Sequence, residues 1–151
     1  MISQKARRHW FTDVVRSGLR GGVGAMAMTG MRSLTVSLGL LKETPPEMVV
    51  EKELPDTLRQ LDKPSRDAAV VLAHWAYGVG GGAVYGALPA ALRRKRWSGP
   101  AYGIILWLGF ELAVAPSLGL RKPENKERLM LAADHLLYGL VLAEMRNRPQ
   151  A

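Results

Sequence analysis

The chain has 151 residues, enough for one domain, with a net charge of +8 and no cysteine. The missing thiols exclude disulfides and thiolate metal sites. A mean hydropathy of -0.02 and 23% charged residues would suit a soluble protein, but the charges crowd into blocks and leave long stretches without them. The basic residues flank apolar runs and accompany no nucleic-acid motif, which points to anionic lipid and excludes nucleic acid as the expected partner.

Residues 1–20, MISQKARRHWFTDVVRSGLR, hold five Lys/Arg, one Asp and the aromatics Trp10 and Phe11. This reads as a basic interfacial segment, and its charges persist too far for a cleaved signal peptide. The first predicted span, about 21–41, carries a single charge, Arg32. Thr44-Pro45-Pro46-Glu47 then forms a capping box with proline in the first turn, so a short surface helix is expected before Pro55. From Ala68 to Leu92 there are 25 residues without Asp, Glu, Lys or Arg. As a helix that run is about 37 Å long, against a hydrocarbon core of about 30 Å. It places the second span at about 67–92, ending at the basic run Arg93-Arg94-Lys95-Arg96. The third span, about 98–120, contains Glu111 and Pro116; the fourth, about 128–146, contains Asp134 and His135, with a tail at 147–151. The expected fold is therefore all-α: an integral membrane four-helix bundle over 21–146, with three spans and a surface helix as the alternative.

Orientation follows from charge. With the N-terminus inside, the inner segments carry eleven Lys/Arg and two acids, and the outer loops nine of each. The concentration of Arg93–Arg96 in one short loop decides for both termini on the cytoplasmic side of a bacterial inner membrane.

Two short motifs recur. His74-Trp75-Ala76-Tyr77-Gly78 and His135-Leu136-Leu137-Tyr138-Gly139 share H-x-x-Y-G, and Ser37-Leu38-Gly39-Leu40 matches Ser117-Leu118-Gly119-Leu120. Each pair falls at the same place in a helical hairpin, so the four helices read as two tandem related hairpins with a parallel repeat. His74, Gly78, Gly82, Gly86 and Ala90 recur every four residues as a small-residue ladder, and His135, Gly139 and Ala143 repeat it in the fourth helix. In the first helix Gly18, Gly22 and Gly30 are expected on a similar stripe. Such ladders serve close packing within the bundle or self-association.

Arg32, His74, Glu111, Asp134 and His135 are costly inside a bilayer, where a central Arg or Asp costs about 2.5–3.5 kcal/mol, so they are expected to face the interior and pair. Overlaying the hairpins sets Arg32 beside Glu111 as a candidate ion pair. Tyr77 and Tyr138 belong to the same polar set. Three chemistries are open to it: a proton or ion path through Glu111, Asp134 and the histidines; a metal held by His74 and His135 with carboxylates; or haem between the two histidines. Against them stands plain hydrogen bonding between neighbouring helices, under which no cofactor is expected. There is no G-x-S-x-G, no H-E-x-x-H and no phosphate loop, since Gly80-Gly81-Gly82 lies inside an apolar run, so an enzyme is not expected.

The stretches GGVGAMAMTGMRSL, LGLLKETPPEMVVEK, AHWAYGVGGGAVYGAL and DHLLYGLVLA, within residues 18–143, resemble the YagU-like family of small bacterial inner-membrane proteins. That resemblance implies a four-helix inner-membrane protein without established catalytic residues. The resulting expectation is a non-enzymatic accessory or scaffold subunit of a membrane complex, or a homo-oligomer, with a proton pathway or a haem- or metal-binding protein as the alternative.

Overall fold

The structure is a computed structural model, and it describes residues 4–40 and 60–143. The described residues are helical apart from turns and an irregular connection at 120–124: α1 (Gln4–Ser37), α2 (Lys63–Ala87), a single turn α3 (Ala90–Arg93), α4 (Ser98–Gly109), a π-helical turn (Phe110–Val114), α5 (Ala115–Ser117) and α6 (Asn125–Ala143). The all-α expectation holds. The surface helix expected after Thr44 and the tail at 147–151 lie outside the described residues.

Several boundaries differ from those read in the sequence. Residues 4–20 of the basic segment are continuous with the first span: no proline lies between Gln4 and Ser37, and the 34-residue helix runs through Gly21-Gly22 without a break. α2 stops at Ala87 rather than near 92. Pro89 forces its predecessor Leu88 out of the helical region (φ -61°, ψ 152°), so Ala90 falls on a separate turn and leaves the ladder. Pro116 acts differently. It cannot donate to the carbonyl four residues back, and the chain accommodates it with a π turn just upstream, in which the Ala115 N–H bonds to Phe110 O. The third helix thus continues from Ser98 to Ser117.

Both Ser-Leu-Gly-Leu segments close their helices in the same way. Leu38, Gly39 and Leu40 donate to Leu34, Val36 and Thr35, while Leu118, Gly119 and Leu120 donate to Val114, Pro116 and Ala115. The turning residue has positive φ in each, 70° at Gly39 and 58° at Gly119, which only glycine adopts without strain.

α1 lies along α2, and α4 lies along α6, giving two antiparallel hairpins joined mainly where α1 meets α6. In the first hairpin a Cβ on Gly78 would strike Gly21 O and Ala25, one on Gly82 would strike Ser17 O, and one on Gly86 would strike Asp13 O. The closest backbone contacts on α1 therefore fall at Ser17, Gly21 and Ala25, with Gly18 and Gly22 beside them against Val79, whereas Gly30 has no described atom within 4 Å of where its Cβ would stand. In the second hairpin Gly99 and Gly103 press on the carbonyls of Gly139 and His135. Backbone against backbone at this distance excludes every side chain, which is what small-residue ladders permit.

Candidate functional site

The interior between the hairpins is built by two heptad-like faces. On α1 the buried residues include Ala25, Met28, Arg32 and Thr35; on α6 they are Glu127, Leu131, Asp134, Tyr138 and Leu142. Alternating steps of three and four keep such positions on one side of a helix. The same spacing that buries Leu131 and Leu142 therefore carries Asp134 and Tyr138 into the interior. Tyr138 is inserted over Gly24, whose missing side chain leaves room for its ring, and its hydroxyl donates to Gly78 O at 2.6 Å. Tyr102 reaches across in parallel, donating to Gly81 O at 2.7 Å. Tyr85 packs its ring 5.2 Å from that of Tyr102 and shares a 2.8 Å hydrogen bond with Ser98 Oγ. Met28, Tyr85, Tyr138 and Leu142 make the hydrophobic cluster at the centre of these contacts.

The charged centre lies deeper on the same faces. Arg32 Nε stands 3.8 Å from Asp134 Oδ2, with the two side chains 8% and 1% exposed, so this ion pair is shut off from solvent. His74 and His135 are within electrostatic reach of Arg32, and His135 is also in reach of His74. His135 Nδ1 lies 2.8 Å from Leu131 O, a contact that requires the proton on Nδ1 and leaves Nε2 as acceptor. His74 Nε2 and Asp134 Oδ2 are buried without a hydrogen-bond partner among the described residues. Nearby, Trp75 Nε1 donates to Thr29 Oγ1 at 3.1 Å, tying α2 to α1.

The structure thus gathers Arg32, His74, Asp134 and His135 and separates Glu111 from them. The expected Arg32–Glu111 pair does not form: Glu111 binds Arg128 Nε at 2.6 Å, and Arg32 takes Asp134 instead. The cause is geometric. α1 packs against α2 and α6 rather than against the helix that carries Glu111, and the π turn containing Glu111 presents it to the start of α6. Tyr77 also falls outside the site, 61% exposed, while its counterpart Tyr138 is 2% exposed. Sequence reading missed the close-packing pair Gly99 and Gly103, although their four-residue spacing is the same signal that marked Gly78, Gly82, Gly86 and Gly139. It also missed Arg121, which grips the buried Glu127 carboxylate at 2.8 and 3.0 Å while Glu127 Oε2 accepts the Glu124 N–H. No group of three or more His, Asp or Glu placed to hold a metal occurs among the described residues.

These features define an all-helical protein with a polar centre and glycine-packed hairpins. Among the described residues one helical stretch, the 20 residues Ser98–Ser117, is long and apolar enough to cross a membrane. No family model matches the chain, no curated protein matches its sequence, and no solved structure matches its fold.

Proposed function

We propose that the chain is a small multi-pass protein of the bacterial inner membrane, built from two related hairpins with both termini cytoplasmic, and acts without catalysis as an accessory or self-associating subunit. This reading agrees with the resemblance to YagU-like membrane proteins. One observation carries it: many large apolar side chains are exposed while charged and polar groups are buried beside a small apolar core. Leu19, Val23, Leu34, Leu72, Val84, Ile105, Leu112 and Leu129 are each more than half exposed, while Arg32, Asp134, Glu127, Ser17, Thr35 and Ser98 are buried. A soluble monomer of this size rarely leaves so many large apolar side chains in water, whereas lipid accepts them and drives polar groups inward. The other long helices are less apolar because charged residues at their ends and glycines along them dilute their apolar side chains.

The association half of the reading is supported by the far side of α2. Ala73, Ala76, Gly80 and Ala87 are exposed there, opposite the Gly78–Gly82–Gly86 face that α1 occupies, and a Cβ on Gly80 meets no described atom within 4 Å. The test is carbonate washing of membranes followed by extraction in mild detergent and mass measurement. The protein is expected to stay with the membrane and to elute larger than a monomer. Because the chain has no cysteine, Gly80→Cys supplies a single thiol whose oxidative cross-linking in native membranes reports the same contact. A monomer with no partner and no cross-link sinks the subunit reading.

A second reading, a proton path, is favoured by the sequestered group Arg32, His74, Asp134 and His135. Its measure is pH-gradient-driven flux in proteoliposomes. Equal flux for wild type and Asp134→Asn removes it.

A further inference from the structure

Two polar atoms in the interior between α1, α2 and α6 are shut off from solvent and have no hydrogen-bond partner among the described residues: His74 Nε2 and Asp134 Oδ2. They belong to one level of the bundle. α1 passes Gly82 and then Gly78 of α2, and Tyr138 and then Asp134 of α6, so it runs against both helices. α2 and α6 therefore run in the same direction, and the Tyr138 hydroxyl joins them at Gly78 O. His74 and Asp134 stand one helical turn before Gly78 and Tyr138, on the same stripes. The donors around them are already committed. Tyr138 donates to Gly78 O, Tyr102 to Gly81 O, Trp75 to Thr29 Oγ1 and Thr29 to Ala25 O. His135 is held through Nδ1 on Leu131 O, and Arg32 Nε stops 3.8 Å from the carboxylate, beyond hydrogen-bond reach.

We infer that an ordered water molecule is bound inside the bundle between His74 Nε2 and Asp134 Oδ2, linking α2 to α6. The charges here select a neutral ligand. A cation would meet the Arg32 guanidinium beside the same carboxylate, and an anion would meet the carboxylate itself. The ligand must also donate to Asp134 while bonding an imidazole nitrogen that is a donor in one tautomer and an acceptor in the other. Water is the smallest molecule that does both. Leaving two buried polar groups unsatisfied costs more than immobilising one water, which is why such waters belong to the structure. The inference goes beyond the subunit reading, and it needs no proton to cross the bundle, so it stands or falls apart from the proton path.

The test uses the full chain in phosphatidylcholine liposomes, with the ring nitrogens of its three histidines isotopically labelled for solid-state NMR. Magnetisation is passed from water protons to the rings, and His9, exposed on α1, marks the rate for a wet ring. The His74 Nε2 signal, assigned by its loss in His74→Phe, is expected to build up together with that of His9. Asp134→Asn, whose amide still bonds water, should leave this unchanged. Asp134→Leu combined with Arg32→Met should abolish the early signal at His74 and keep that at His9. Circular dichroism and a cooperative unfolding transition confirm that each variant is folded. In wild type the Asp134 carboxyl carbon, labelled separately, should receive water magnetisation equally early, and a dry carboxylate overturns the inference whatever the apolar variant does. A dry His74 ring in wild type overturns it too, and a short distance from that ring to the Asp134 carboxylate then identifies a direct bond instead. Early build-up at His74 that survives Asp134→Leu with Arg32→Met also overturns it, because that water does not depend on the carboxylate.

Discussion

In the first hairpin the glycines Gly78 and Gly82 of α2 press against Ser17 and Gly21 of α1; in the second, Gly139 of α6 presses against Gly99 of α4. Set side by side on these contacts, Gly21 corresponds to Gly99, Ala25 to Gly103 and Gly78 to Gly139. The position of Gly24 then corresponds to Tyr102, and Tyr77 to Tyr138. This one exchange explains why the halves meet unequally. Gly24 leaves a gap that Tyr138 fills, so α6 draws close to α1. On the other side the matching place already holds the Tyr102 ring, which is tilted against Tyr85 and whose hydroxyl donates to Gly81 O. Tyr77 has no gap to enter and stays at the surface. A repeat can thus keep its backbone contacts and helix caps while a single residue redirects how its halves dock.

The backbone contacts shared by both hairpins should be the most sensitive. Gly82→Val would drive a side chain into Ser17 O and Gly103→Val one into His135 O, and neither backbone can yield without separating its hairpin. Losses of about 3 kcal/mol or more are expected for each, read as a lower midpoint of unfolding in denaturing detergent. Gly80→Val, with open space around it, should change the midpoint little. If Gly103→Val is tolerated and Gly82→Val is not, the equivalence of the hairpins fails.

The next effect belongs to the junction between the halves. Replacing Asp134 with Leu takes one carboxylate away from the buried Arg32 guanidinium, at a cost of about 3 kcal/mol. Adding Arg32→Met to Asp134→Leu should restore most of that loss, because the pair's attraction is largely offset by its own desolvation. A double-variant cycle with no coupling between the two positions would show that the ion pair does not join the halves.

Much of this was readable from residue spacing, and the failures have physical causes. Intervals of four between glycines identified Gly78, Gly82, Gly86 and Gly139 as packing positions because close approach requires small residues at that period. The Ser-Leu-Gly-Leu matches located both helix ends because a left-handed turn there calls for glycine. Charge-free length was a poorer guide. Residues 68–92 lack charges, yet the helix they form ends at Ala87 before Pro89, and among the described residues Ser98–Ser117 is the stretch that meets the length and apolarity of a span. Pairing was also hidden. Arg32 was set against Glu111 by overlaying hairpins, but which helices become neighbours depends on tertiary contacts such as Tyr138 on Gly24. The π turn at Phe110–Val114 also re-aims Glu111, which lies within it, and shifts the register of the residues that follow.

The smallest predicted effect bears most directly on the comparison, since Tyr77 and Tyr138 occupy the same place in H-x-x-Y-G. Tyr138→Phe removes one hydroxyl, and with it the 2.6 Å bond to Gly78 O. That carbonyl belongs to a helix, so it keeps a backbone partner, and the bond lies inside the bundle, where such contacts average about 0.6 kcal/mol. A loss of about 0.5–1.5 kcal/mol is therefore expected. Tyr77→Phe should cost nothing measurable, because the Tyr77 ring is exposed at 61%. The informative variant combines Tyr138→Phe with Gly24→Ala. The added methyl stands against the Tyr138 ring, so it tests whether the glycine, rather than the hydroxyl, sets how closely α6 approaches α1. A loss from Gly24→Ala that exceeds the loss from Tyr138→Phe, with the two effects not additive, places the docking of the halves in the space left by one missing side chain.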